Sequence, residues 1–174
     1  MKNKFEIRGN KVTIFLNRRD GDVLEAIIDL SDMAKVQEHT GRWHAGWDKV
    51  TKSFYVCGKS PIRGGKGTTV HLHRWIMDTP PDLQVDHRDH NTLNNTRNNL
   101  RNVTNSVNQQ NRKRLDINNT SGARGVCWDK SAKKWRARLR INGKRIHLGL
   151  FTDMQLASNF AHEARVRLMP GYIY

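Results

Sequence analysis

Three short pieces of the chain, VDHRDHN from Val85, NNLR from Asn98 and SVNQQN from Ser106, gather the side chains that hydrolytic chemistry uses. Cleaving a phosphodiester needs an activated water. It also needs something to hold the charge that builds on the phosphate and on the leaving oxygen. A neutral imidazole can supply the first and a bound metal ion the second. The surroundings suit a phosphate. Between His87 and His147 there are 15 basic residues and three acids (Asp89, Asp116, Asp129), a net of +12. Further on, WRARLRI alternates strictly, with Trp135, Ala137, Leu139 and Ile141 on one face and Arg136, Arg138 and Arg140 on the other. Arginine forks onto guanine or grips phosphate.

The whole composition agrees. The 174 residues carry 31 Lys and Arg against 16 Asp and Glu, a formal charge of +15. A polyanion is the natural partner for such a surface. No apolar run approaches the roughly 20 residues of a membrane span, so no membrane partner is expected. The two cysteines, Cys57 and Cys127, exclude a disulfide scaffold and any CxxC zinc site, and suit a reducing cytosol. No signal-peptide core follows MKNKFEIRGN.

The elements that must position these groups can be read in outline. EIRGNKVTIFL, DGDVLEAIIDL and SFYVC read as short strands, with Asp20-Gly21 as a hairpin turn. SDMAKVQEH reads as a short helix with Ser31 as N-cap, and IRGGKG as a turn. Eleven of the 29 residues from Asn91 to Asn119 are Asn, a composition that favours turns and caps. Leu83 and Val85 precede the Asn-rich loop and Leu100 and Val103 follow it, so strand, loop and returning strand make a hairpin. NSVNQQNRKRL then reads as a helix capped by Thr104 or Asn105, a β-β-α order. Asn142-Gly143 turns a second hairpin, in which Arg145 and His147 face away from Ile146 and Leu148. The last segment carries a helical stripe of Leu156, Ala157, Phe160, Ala161, Ala164 and Leu168, with Thr152 as N-cap. The fold class expected is α+β: an N-terminal β-rich segment, a β-β-α unit, then a three-stranded antiparallel sheet with one helix on its apolar face.

VDHRDHN, NNLR and SVNQQN, with the upstream His73-Arg74 pair, resemble the HNH nuclease motif, and look most like its phage and intron-encoded homing branch. The resemblance implies a metal-dependent DNA endonuclease. In it Asp86 binds the metal, His87 is the general base, Asn99 holds the loop and orients the imidazole, and Asn108 is the second metal ligand. That last position is often His in the family. With Asp86 and Asn108 both presenting oxygen, one hard ion per site, Mg²⁺ or Mn²⁺, is expected rather than zinc. Adjacent strand residues point to opposite faces, so for Asp86 and His87 to serve one phosphate the strand must end, twist or bulge there. His71 and His73 are expected to be packed, and His90 solvated.

SGARGV, WDKSAKKWRARLRINGKRIHLGLF and the final helix resemble the plant ethylene-response-factor (Apetala-type) DNA-binding domain. The resemblance implies duplex-DNA contacts from Arg124, Trp128, Arg138, Arg140 and Arg145. Arg136 and His147 join them on the cationic face. His147 stands where the plant domain usually has Trp, and Arg138 where it has Glu, so its sequence preference does not transfer. The expected organisation is a nuclease domain over 1–115, made of a β-rich segment (residues 1–69) and the β-β-α unit (residues 70–115). A linker over 116–122 and a DNA-binding domain over 123–174 follow. Double-stranded DNA is the expected partner, no obligatory protein partner is evident, and the expected setting is the cytoplasm of a bacterial host. The alternative is a DNA-binding regulator in which the HNH fold is a relic.

Overall fold

The computed structural model describes residues 1–60 and 67–173. The turn expected over IRGGKG lies outside them, apart from Gly67. Contacts divide the chain into two units, Met1–Thr104 and Asn105–Tyr174.

In the first unit, β1 (Phe5–Arg8), β2 (Lys11–Asn17) and β3 (Val23–Asp29) form an antiparallel sheet in that order. Gly9, at φ 62°, takes the left-handed conformation that the tight β1–β2 turn needs. Val12, Ile14 and Leu16 alternate inward from β2 and are fully buried. A 3₁₀ turn, Leu30–Asp32, leads into α1 (Met33–Gln37). Ser31 therefore lies inside the turn and is not the N-cap. Asp32 takes that position with no capping bond from its side chain.

Next come β4 (His44–Asp48), β5 (Ser53–Lys59), β6 (Thr69–His71) and α2 (Leu72–Met77), the three strands forming a second antiparallel sheet. β7 (Gln84–His87) and β8 (Leu100–Val103) pair as a two-stranded ribbon. One core joins these pieces. Val12, Ile14, Leu16, Ile28, Val36, Trp43, Val56, Leu72 and Ile76 are buried together, and Leu100 brings in the ribbon. Trp43 is 1% exposed, and its indole N–H donates to the Val36 carbonyl at 3.4 Å.

The second unit starts with α3 (Asn105–Gln110), followed by β9 (Val126–Asp129), β10 (Lys134–Ile141), β11 (Lys144–Phe151) and α4 (Met154–Leu168). The strands form an antiparallel sheet with β10 in the centre. α3 groups with this unit because Arg124 holds its end. The guanidinium donates to the carbonyls of Gln109, Gln110 and Arg112 at 3.0, 2.9 and 2.9 Å. Gln110 in turn accepts from the Gly171 amide at 2.9 Å. The division thus falls at 104/105, ahead of the linker placed over 116–122 from the sequence.

α4 meets the sheet on its small side. Ala157 and Ala161 pack against Val126 and Ala137, whereas Leu156, Phe160 and Leu168 are 54%, 44% and 45% exposed. The stripe read from the sequence therefore splits. Alanines four apart let the helix backbone approach the sheet closely, and the larger residues beside them are turned to the rim. The N-cap is Asp153, whose Oδ1 accepts from the Leu156 amide at 2.7 Å; Thr152 stands one residue earlier. Among the described residues no helix is long and apolar enough to cross a membrane.

Candidate active site

The β7–β8 register places Asp86 opposite Arg101 and His87 opposite Leu100. β7 ends at His87, and the chain turns at once. The Arg88 amide donates to Asn99 O at 2.9 Å and the His90 amide to His87 O at 3.1 Å. This strand end falls where the two adjacent side chains need it. Both are 6% exposed. Arg101 grips the Asp86 carboxylate, donating from Nε at 2.8 Å and Nη2 at 2.7 Å to Oδ2. Both donors converge on that one oxygen, in a charge-assisted pair.

Asn99 is the clamp of the following loop. Its Oδ1 accepts from the Asp89 amide at 2.9 Å and its Nδ2 donates to Asn94 O at 2.8 Å. The loop's polar side chains also cap it internally: Asp89 accepts from the Asn91 amide and from Asn94 Nδ2, both at 2.8 Å. The N-terminal sheet holds the loop from outside. Ile27 bonds the loop through both its backbone groups, Ile27 N donating to Leu93 O at 2.9 Å and Asn95 N donating to Ile27 O at 2.7 Å. Arg97 forks onto buried Asp32 with contacts of 2.6 to 3.0 Å. The first hundred residues therefore include a frame whose task is to hold this loop.

His87 sits among aromatic rings. His73 meets it edge-on at 5.1 Å between centroids, His71 stacks on His73 at 5.2 Å, and Tyr55 lies 5.7 to 6.2 Å from all three imidazoles. Burial lowers the pKa of His87, opposed by Asn95, Asp89 and Asp86. It pushes His73 down to about 2, helped by the neighbouring His87, His71 and Arg74. The imidazole beside Asp86 is thus held neutral, the form that accepts a proton. The sequence reading of His71 and His73 as packed groups missed this neighbourhood, as it missed Tyr55. Only the folding of β5, β6 and α2 against β7 assembles it. Arg101 was within reach of the sequence, because a hairpin register sets it across from Asp86.

Among the described residues no group of three or more His, Cys, Asp or Glu side chains is placed to hold a metal. A hard divalent ion has other needs: it takes a carboxylate together with amide, water and phosphate oxygens, and Asp86 offers such a carboxylate. Asn108 stands on α3, in the second unit.

The second unit presents a cationic sheet face. Register pairs Arg140 with Arg145 and Arg138 with His147 directly across β10 and β11, and all four are exposed. Like charges placed opposite destabilise a bare sheet. Among the described residues Arg138, Arg140 and Arg145 make no ion pair. Arg136 is on the same face but pairs with Asp129 at 2.9 Å. Arg124 is committed to the α3 carbonyls. Trp128 falls elsewhere: it pairs with Trp135, ring centroids 5.1 Å apart, on the face that carries Val126 and Ala137.

Residues 69–110, which carry this geometry, match the family model of the HNH endonucleases. The matched stretch runs from β6 to the end of α3 and contains His73, Asp86, His87, Asn99, Arg101 and Asn108. No curated protein and no solved structure matches the chain.

Proposed function

We propose that the protein is a metal-dependent DNA endonuclease of the HNH homing type. It hydrolyses a phosphodiester bond in duplex DNA at a site chosen by the Apetala-like second unit. The observation that carries this reading is the buried Asp86–His87 pair at the end of β7, inside the segment that matches the HNH endonucleases. Asp86, paired with Arg101 through Oδ2, is the ligand for one Mg²⁺ or Mn²⁺. When bound, that ion supplies positive charge to the phosphate oxygens. His87, kept neutral by burial, takes the proton of the attacking water on its ring nitrogen. Asn99 fixes the loop that follows. The resemblance adds Asn108 as a second oxygen ligand. Arg138, Arg140, Arg145 and His147 supply the DNA contacts of the second unit, in the cytoplasm of a bacterial host carrying a phage- or intron-borne gene.

Incubation with plasmid or phage DNA and Mg²⁺, with mapping of the ends, tests the reading. His87→Ala should remove cleavage and leave DNA binding within a few-fold, because His87 acts on water and not on the phosphate grip. EDTA should stop cleavage and Mn²⁺ restore it. Undiminished cleavage by His87→Ala, or full activity in EDTA, contradicts the assignment.

A further inference from the structure

A cavity inside the second unit, about 750 Å³ in volume, is bordered by Arg112, Arg124, Arg138, Arg140, Arg145 and Arg165. It lies between the segment carrying α3 and the β10–β11 hairpin. Asp116 is its one carboxylate among the described residues, and that group is exposed and paired with Arg112. Arg165 is 5% exposed. Its Nη1 donates to Arg124 O at 2.6 Å, and its guanidinium carbon sits 5.3 Å over the Tyr172 ring. Its Nε is buried with no hydrogen-bond partner. Arg124 spends its donors on backbone carbonyls, which neutralise no charge. Three guanidiniums, those of Arg112, Arg124 and Arg165, are therefore crowded together with one solvated carboxylate. Burial first, and then the nearby Arg165 and Arg112, lower the Arg124 pKa, opposed by Tyr172 and Asp116.

A cavity lined by arginines with one solvated carboxylate suits an anionic ligand, and a phosphate presents oxygens in the pattern that guanidinium forks match. The geometry points to this cavity as a phosphate-binding site that engages its ligand through Arg165 and Arg112, two residues absent from the cationic sheet face. A cavity of this order takes a ligand larger than a single ion, which favours successive backbone phosphates of a nucleic acid. That source rests on the reading of the protein as a DNA enzyme; the phosphate chemistry does not.

The test uses the full chain, with tripolyphosphate and duplex DNA as probes. Tripolyphosphate should raise the melting midpoint of the wild type. Arg112→Ala, at an exposed position, should reduce that rise, and Asp116→Asn, which removes a competing carboxylate, should enlarge it. For DNA, Arg112→Ala should make the log–log salt slope shallower by about one. Both responses together establish a backbone-phosphate site. The tripolyphosphate response alone supports the site with a free phosphate compound as ligand, and if DNA is neither bound nor cut it leaves the site standing while the nuclease reading falls. No effect of either variant on the tripolyphosphate shift overturns the proposal, whatever the DNA result. Metal-dependent cleavage alongside that outcome would leave the nuclease reading intact.

Discussion

Arg97→Ala should detach the Asn-rich loop from its frame, because it strands a carboxylate that cannot reach water. Asp32 is 2% exposed and is held by three contacts from Arg97 of 2.6 to 3.0 Å. Removing one partner of a buried pair costs about 3–5 kcal/mol. The Arg97 side chain is itself 50% exposed, and solvent screening brings the expectation to about 2–3 kcal/mol. The reverse change, Asp32→Asn, leaves a guanidinium that water can solvate and should cost about 1 kcal/mol. This asymmetry is the signature of the arrangement. Amide exchange reads it locally at Ile27 and Asn95, whose N–H groups close the bridge between loop and sheet. Arg97→Ala should speed exchange there by roughly 30- to 150-fold, at tenfold per 1.4 kcal/mol. Cleavage should fall with it. Unchanged exchange at both amides, or a larger effect from Asp32→Asn, refutes the reasoning.

Three other outcomes are expected. His73 titrates at about 2 in the fold and near 6.5 when unfolded, so the unfolded state binds the extra proton between those values. Its share of stability is complete above pH 6.5 and is lost as pH falls, by about 1.4 kcal/mol per unit. Urea titrations at pH 7 and pH 5 should show the loss, and His73→Phe should shrink it; a pH-independent midpoint rules it out. Arg138→Ala should weaken duplex binding by about 1–3 kcal/mol if it reads a base, whereas Trp128→Ala should act mainly on melting temperature, since Trp128 packs on Trp135; gel shifts and melts of both variants distinguish the two. Finally, a fragment starting at residue 105 should fold more stably than one starting at 116, because only the longer one keeps the α3 carbonyls that Arg124 satisfies. Equal melting curves would contradict that account.

The candidate site residues and their order were legible in the sequence. Asp86 and His87 stand just before a turn, Asn99 returns the chain ten residues on from Asp89, and WRARLRI alternates because strand side chains do. These are local facts, set by periodicity and by the preference of Asn for turns. The boundaries that failed were decided by competition between near-equal local choices. Asp153 displaced Thr152 because its carboxylate reaches the Leu156 amide, and the large residues of α4 gave way to Ala157 and Ala161 because closeness to the sheet outweighed their area. What tertiary structure alone decided is who stands beside whom at long range. Tyr55, His71 and His73 converge on His87 from separate elements, Asp32 anchors Arg97 from 65 residues away, and Arg124 claims α3 for the second unit. Such contacts satisfy groups buried by the fold as a whole, and no spacing along the chain encodes them.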